Sequence, residues 1–104
     1  YTLFPNMFLF PGLSLPMIYR FRPIGSSPDR SLFDLLFLRP LPRSGERPEP
    51  AAPVRIGVED SYASVPGMDP GMGHVYDQDT RNLGLQQEGM MTSKKPGQTL
   101  ATYQ

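Results

Sequence analysis

Hydrophobic and polar residues alternate along the first part of the chain. In Leu15–Pro23 (LPMIYRFRP), a methionine and two aromatic residues occupy every second position, and Ile18, Arg20 and Arg22 occupy the alternate positions. This period of two predicts a half-buried strand, because successive side chains of a strand point to opposite faces. We expect the two arginines to face solvent, with their alkyl stems lying over the sheet.

Two further strands are predicted on either side of this one. Asn6–Phe10 is a short apolar run that ends at the turn signal Pro11-Gly12. Ser31–Arg39 (SLFDLLFLR) is apolar on both faces, which predicts a central strand covered on both sides, with a short helix as the alternative. The loop at residues 24–30 is short enough to join the second and third strands as an antiparallel hairpin.

The next stretch is rich in proline. Residues 40–53 (PLPRSGERPEPAAP) hold five prolines and one large apolar side chain, Leu41. This composition predicts an extended, stiff connector, and we interpret residues 40–70 as a crossover from the sheet to a helix. The proline spacing also suggests a recognition peptide, which is the second interpretation of this stretch.

A long helix is predicted at Met72–Met91 (MGHVYDQDTRNLGLQQEGMM). An ionised carboxylate on a core-facing stripe is costly unless it is paired, hydrogen-bonded or bound to a metal, so an acidic residue on the stripe needs a partner. Successive positions about 100° apart place six residues on one face of this helix: Val75, Asp79, Asn82, Leu83, Gln86 and Met90.

Two interpretations of Asp79 remain open at this point. Asp is favoured at helix N-caps, so Asp79 would open a shorter helix that runs through Gln87. In the other interpretation Asp79 is a metal ligand inside a longer helix, whose start Asp69-Pro70 would cap. His74 is about 140° away from Asp79 on the helix, which makes the two poor ligands for one metal ion. We interpret His74 as a surface or capping residue.

Composition narrows the classes of protein that the chain can represent. Ten basic and ten acidic residues give a formal net charge of +0, so there is no electrostatic case for binding nucleic acid or an anionic membrane. The absence of cysteine excludes disulfides, iron–sulfur clusters and zinc–thiolate sites within these residues and fits an intracellular location. Prolines interrupt the apolar stretch Tyr1–Ile18, which therefore does not predict a membrane helix. We expect the chain to be an excerpt of a longer protein, with residues 92–104 forming a turn and the start of a further helix.

Several short motifs occur in an order that resembles one family. An FPN tripeptide at residues 4–6 opens a strand, RP dipeptides at 22–23 and 39–40 close the next two, and a proline-rich crossover leads to a helix with YDQDTRNLGLQQEGM at 76–90. This order resembles the C-terminal catalytic domain of the alpha subunit of Rieske-type aromatic-ring-hydroxylating oxygenases. The most specific part lies on the helix, at Gln78-Asp79 followed by Gln87 and Gly89.

The resemblance implies a fold and a reaction. The implied fold is α+β: an antiparallel sheet with a long C-terminal helix packed on it, the helix-grip fold of START and Bet v 1-like proteins, here incomplete. Residues 1–39 would supply strands and residues 72–91 the iron-ligand helix of a partial catalytic domain. The family uses O2 and electrons from NAD(P)H, delivered by a reductase or ferredoxin through a Rieske [2Fe–2S] cluster, to hydroxylate aromatic substrates. These enzymes are cytoplasmic and often trimeric.

The resemblance also assigns roles to residues of the helix. Asp79 would be the carboxylate ligand of a mononuclear Fe²⁺, while two histidines and the cluster would lie upstream of this excerpt. Asn82 and Gln86 are candidates to hydrogen-bond that carboxylate, and Val75 and Leu83 are candidates for the apolar wall of the substrate pocket. Without the histidines and the cluster, we expect the 104 residues alone to be inactive. Two alternatives are a metal-free helix-grip module that binds an apolar ligand and a structural remnant without a site.

Overall fold

The computed structural model describes residues 1–97, 99 and 102. It contains four strands, β1 (Thr2–Leu3), β2 (Met7–Phe10), β3 (Met17–Pro23) and β4 (Ser31–Phe37), a 3-10 turn at Tyr62–Ser64, and one helix, α1 (Pro70–Thr92). The described structure is therefore α+β, an antiparallel sheet followed by a C-terminal helix, which agrees with the fold class that the resemblance implies. The expected start of a further helix at residues 99–104 falls largely outside the described residues.

The chain divides into two compact units, Tyr1–Ala51 and Ala52–Gln104. The first holds the sheet, in which the strands pair antiparallel in the order β1-β2-β3-β4. The predicted hairpin is confirmed, because β3 pairs with β4 over their whole length, from Met17 opposite Phe37 to Pro23 opposite Ser31.

Aromatic side chains cover one face of the sheet. The ring of Phe33 stacks on Phe21 with centroids 5.0 Å apart and meets Tyr19 edge-on at 5.3 Å. Tyr19 also contacts Phe10, at 4.8 Å. Such pairs contribute about 0.5–1.5 kcal/mol each beyond the burial of their area. In this unit the buried hydrophobic side chain among the described residues is Met17, at 5% exposure.

The structure corrects the position predicted for the third long strand. β4 is the last strand of the sheet among the described residues, not a central one. Its apolar residues on both faces led to the prediction, but Leu36 and Phe37 are each 37% exposed. An apolar strand reports only that its faces can be buried, and it does not show which neighbour buries them.

The second unit consists of the 3-10 turn packed against the first part of α1. Asp69 is the N-cap of α1: its carboxylate accepts a hydrogen bond from the backbone N–H of Met72 at 2.9 Å, and Pro70 occupies the first turn. Both features are favoured at helix starts, because the side-chain oxygen satisfies an N–H that has no partner within the helix and proline has no N–H to lose. The start predicted from Asp69-Pro70 is confirmed. No helix in the described part of the chain is long and apolar enough to cross a membrane.

Candidate functional site

The face of α1 that packs against the 3-10 turn contains one glycine and one tyrosine. Gly73 is buried, and a Cβ atom at this position would come within 2.5 Å of the Ala63 Cα atom. Tyr76 is 2% exposed, and its ring centroid lies 5.7 Å from that of Tyr62. Only glycine allows the helix to approach the turn this closely, so the contact depends on a residue that adds nothing to a hydrophobic pattern.

Asp77 holds the 3-10 turn on the helix. Its carboxylate accepts hydrogen bonds from the Ser61 hydroxyl at 2.6 Å and from the Tyr62 backbone N–H at 2.7 Å. These donors favour the ionised form and hold the pKa of Asp77 below its ordinary value, with the Ser61 bond as the larger cause. We call Ser61, Tyr62, Tyr76 and Asp77 the Asp77 cluster.

Two further polar residues border the Asp77 cluster. The Thr80 hydroxyl donates a hydrogen bond to the carbonyl oxygen of Tyr76 at 2.7 Å. Burial raises the pKa of the Tyr62 phenol, a hydrogen bond with Thr80 opposes this shift, and the negative charge of Asp77 adds to it. The Nδ1 atom of His74 lies 3.8 Å from the Asp77 carboxylate, but its side chain is 75% exposed. His74 is therefore a surface residue, as expected.

The face predicted to point into the core is exposed instead. Val75 and Leu83 are each 46% exposed, and Asp79, Asn82, Gln86 and Met90 are exposed as well. The expectation that this stripe is buried is wrong for the described structure, because Gly73 and Tyr76 turn a different face of α1 towards its partner. The helical spacing itself is confirmed, since all six residues lie within α1.

Asp79 has no structural role in the described part of the chain. It lies inside α1, nine residues after Pro70, so the prediction that it caps the helix is wrong. Within residues 1–97, 99 and 102 its carboxylate makes no hydrogen bond and no ion pair. Asn82 and Gln86, the expected hydrogen-bond partners, therefore do not bond to it. The two acidic residues Asp77 and Asp79 thus differ completely: the first is bound by two donors, and the second is accessible to an external ligand.

The sheet contains a second polar cluster. Asp34 accepts hydrogen bonds from Arg20 at 2.8 Å and from Arg22 at 2.7 and 2.9 Å. These bonds, with that from Arg22 as the largest cause, lower the pKa of Asp34 to about 2. The arginine side chains are 40% and 46% exposed, so they lie at the solvent side as predicted, although their pairing with Asp34 was not anticipated.

The sequence contained a usable signal for the Asp77 cluster. Tyr76 and Asp77 lie three and four residues after Gly73, so all three flank one face of the helix, which differs from that of Asp79. A glycine beside an aromatic residue on that face indicates close approach of another backbone. The signal for Asp34 was its place in β4, where antiparallel pairing sets it opposite Arg20.

The described residues include no group of three histidine, cysteine, aspartate or glutamate side chains that could hold a metal ion. On α1, Asp79 and Glu88 are exposed carboxylates whose side chains make no hydrogen bond or ion pair within the described residues, and Asp79 is the one that the sequence resemblance singles out. No protein-family model, curated protein or solved structure matches this chain.

Proposed function

We propose that this chain is part of the catalytic domain of a Rieske-type aromatic-ring-hydroxylating oxygenase and that Asp79 is its carboxylate ligand for Fe²⁺. The observation that carries the proposal is the contrast between neighbouring acidic residues. Asp77 is used to hold the second unit together, whereas Asp79 is exposed and has no partner in the described part of the chain. Asp79 also belongs to the motif that carries the resemblance, Gln78-Asp79 with Gln87 and Gly89.

The residues present fit one position of a two-histidine, one-carboxylate iron site. Asp79 can supply the carboxylate, which would offset part of the metal charge. His74 does not fit as a co-ligand, because it lies beside Asp77 on another face of α1. Under this proposal both histidines and the Rieske [2Fe–2S] cluster come from parts of the protein outside these residues. Iron, when bound, supplies the activation of O2.

The neighbours of Asp79 on α1 define what this chain contributes around the ligand. Asn82 and Gln86 lie one and two turns further along and carry amide donors that can orient the carboxylate through its second oxygen. Val75 and Leu83 lie one turn before and after Asp79, and their exposed apolar surface suits a hydrophobic, aromatic substrate. In the proposed enzyme this face of α1 becomes buried in a helix-grip arrangement.

The rest of the proposal follows from the same resemblance. The enzyme takes electrons from NAD(P)H through a reductase or ferredoxin partner, is a cytoplasmic homotrimer, and hydroxylates an aromatic or other hydrophobic small molecule. The 104 residues alone are inactive, because they lack the remaining iron ligands. A metal-free helix-grip binding module would use Asp79 as a cap or pair it with an arginine, and Asp79 does neither within the described residues.

The test is the iron content of the full-length protein. We expect Asp79→Ala to abolish stoichiometric iron, measured by elemental analysis, and to abolish product formation, while the far-ultraviolet circular dichroism is unchanged. Glu88→Ala is the matched control, since Glu88 is another exposed acidic residue of α1 and lies outside the proposed site. Retention of iron and activity by Asp79→Ala would reject Asp79 as a ligand. A full-length protein without iron that binds apolar ligands would establish the metal-free alternative.

A further inference from the structure

The proline-rich connector contains one proline pair with a distinctive spacing. Pro50 and Pro53 are the one pair of prolines three residues apart in the whole sequence, and Arg55 follows two residues later. The segment therefore reads Pro-x-x-Pro-x-Arg, as PAAPVR. This pattern is independent of Asp79 and of the proposed iron site.

The prolines of this segment favour an extended backbone. Residues 45–57 form no helix or strand. Each proline holds its own φ at about −65°, and the helical region is disfavoured for each residue before a proline. These two restrictions cover Glu49, Pro50, Ala52 and Pro53, which favours the polyproline II helix. In that helix, with three residues per turn and a rise of about 3.1 Å per residue, Pro50 and Pro53 lie on the same edge, about 9 Å apart.

The segment is accessible to a partner. All residues from Pro40 to Arg55 are exposed, and Val54 exposes 57% of its surface. Within the described residues the Arg55 guanidinium makes no hydrogen bond and no ion pair, so its charge is available. The boundary between the two compact units falls between Ala51 and Ala52. Binding here would disrupt neither the sheet nor the contact of α1 with the 3-10 turn.

The chemistry of the segment specifies the kind of partner. A preformed polyproline II helix loses little entropy on binding, and grooves lined by aromatic rings accept the two proline edges. The cation at one end makes the segment asymmetric, so an acidic pocket at one end of such a groove would fix its direction. Residues 39–55 contain four arginines and two glutamates, so this stretch has an excess of two positive charges, which complements an acidic groove.

From these observations we propose that Pro50–Arg55 is a docking segment for a protein domain of the SH3 type, with an aromatic groove and an acidic pocket. Pro50 and Pro53 occupy the groove, and Arg55 enters the pocket. The sequence of the connector also suggested a recognition peptide, and we assign that role to these six residues. The remaining prolines act as a stiff spacer.

The experiment uses a nitrogen-15-labelled SH3 domain whose groove has an acidic pocket. The unlabelled full chain is added to this domain stepwise, and binding is monitored by nuclear magnetic resonance. We expect chemical-shift changes at the aromatic groove, and a dissociation constant that rises about tenfold or more for Pro53→Ala and for Arg55→Ala. Pro42→Ala and Arg47→Ala are matched controls from the same connector and should change the dissociation constant by less than about twofold.

Two outcomes would overturn the proposal. The first is the absence of groove shifts at about 1 mM chain, a concentration at which even weak peptide docking is visible. The second is an equal loss of binding in the control variants, because general positive charge or proline content would then explain the interaction. Binding that depends on Pro53 and Arg55 but not on Pro42 and Arg47 supports the assignment.

Discussion

Each of the two compact units is organised around one carboxylate, but the partners of these carboxylates differ. In the sheet, Asp34 is held by two cationic side chains, Arg20 and Arg22. In the helical unit, Asp77 is held by neutral donors, the Ser61 hydroxyl and the Tyr62 backbone N–H. The pKa of both carboxyl groups is lowered, chiefly by hydrogen bonds from charged guanidinium groups in one unit and from neutral donors in the other.

The difference shows how a small unit with little buried surface specifies its structure. The buried hydrophobic side chains among the described residues are Met17 in the sheet and Tyr76 in the helical unit. The sheet compensates with a network of aromatic pairs across three strands, whereas the helical unit depends on one close approach and one hydrogen-bonded carboxylate. The helical unit should therefore be more sensitive to single substitutions.

The largest effect is expected for Gly73→Ala. The added Cβ would lie 2.5 Å from the Ala63 Cα atom, so the 3-10 turn must separate from α1. Overpacking of this kind costs about 1–3 kcal/mol, which exceeds the gain of up to about 1 kcal/mol from replacing a helical glycine by alanine. Urea unfolding followed by circular dichroism at 222 nm should show the loss.

Gly84→Ala is the matched control, because nothing lies within 4 Å of a Cβ atom at that position. It should stabilise α1 by about 0.5–1 kcal/mol, since alanine loses less backbone entropy in a helix than glycine does. If both variants shift the unfolding midpoint in the same direction, the close approach of Gly73 to Ala63 does not define the helical unit.

The next prediction is that salt changes the contribution of Asp34 to stability more than that of Asp77. Asp34→Asn should cost about 0.2–1 kcal/mol of unfolding free energy for each of its two exposed ion pairs at low ionic strength. In 1 M sodium chloride, where the screening length is about 3 Å, this cost should shrink. The cost of Asp77→Asn should persist, because its donors carry no net charge. Equal salt dependence of the two variants, measured by urea unfolding, would contradict the comparison.

Lowering the pH should reduce the stabilising contribution of both carboxylates. The folded-state pKa of Asp34 is about 2, below its ordinary value of 3.8, so its stabilising contribution is complete above the ordinary value and disappears as the pH falls towards about 2. Asp77 behaves likewise, because its pKa is also lowered. The stability difference between wild type and Asp34→Asn should therefore vanish over that acidic range, and a difference that grows on acidification would refute the pairing.

The sheet was largely predictable from the sequence, and its edge was not. Alternation in Met17–Pro23 and the short loop at residues 24–30 determine a hairpin through local physics, and the structure contains it. The prediction that β4 is a central strand was wrong, because the number of strands beside an apolar strand depends on distant parts of a chain. The start of α1 was predictable from Asp69-Pro70, because capping is a local interaction.

The buried face of α1 was not predictable from hydrophobic periodicity. A stripe through Val75, Leu83 and Met90 has more apolar side chains than the stripe that packs in the structure. The latter begins with Gly73, whose importance lies in the absence of a side chain, and ends with Asp77, whose partial burial is favourable because Ser61 and Tyr62 supply donors. Both features depend on a partner segment that periodicity within the helix does not represent.

The smallest effect is expected at Asp79, and its smallness makes it informative. Asp79→Asn removes a charge that contacts nothing in the described part of the chain, so the unfolding free energy of the 104-residue chain should change by less than about 0.5 kcal/mol. Asp77→Asn, two residues away on the same helix, should be clearly destabilising in the same urea titration. A carboxylate that is dispensable for stability yet required for iron in the full-length protein is a ligand and not a structural residue. If Asp79→Asn destabilises the isolated chain as much as Asp77→Asn does, Asp79 has a structural partner, and loss of iron in its variants would no longer identify a ligand.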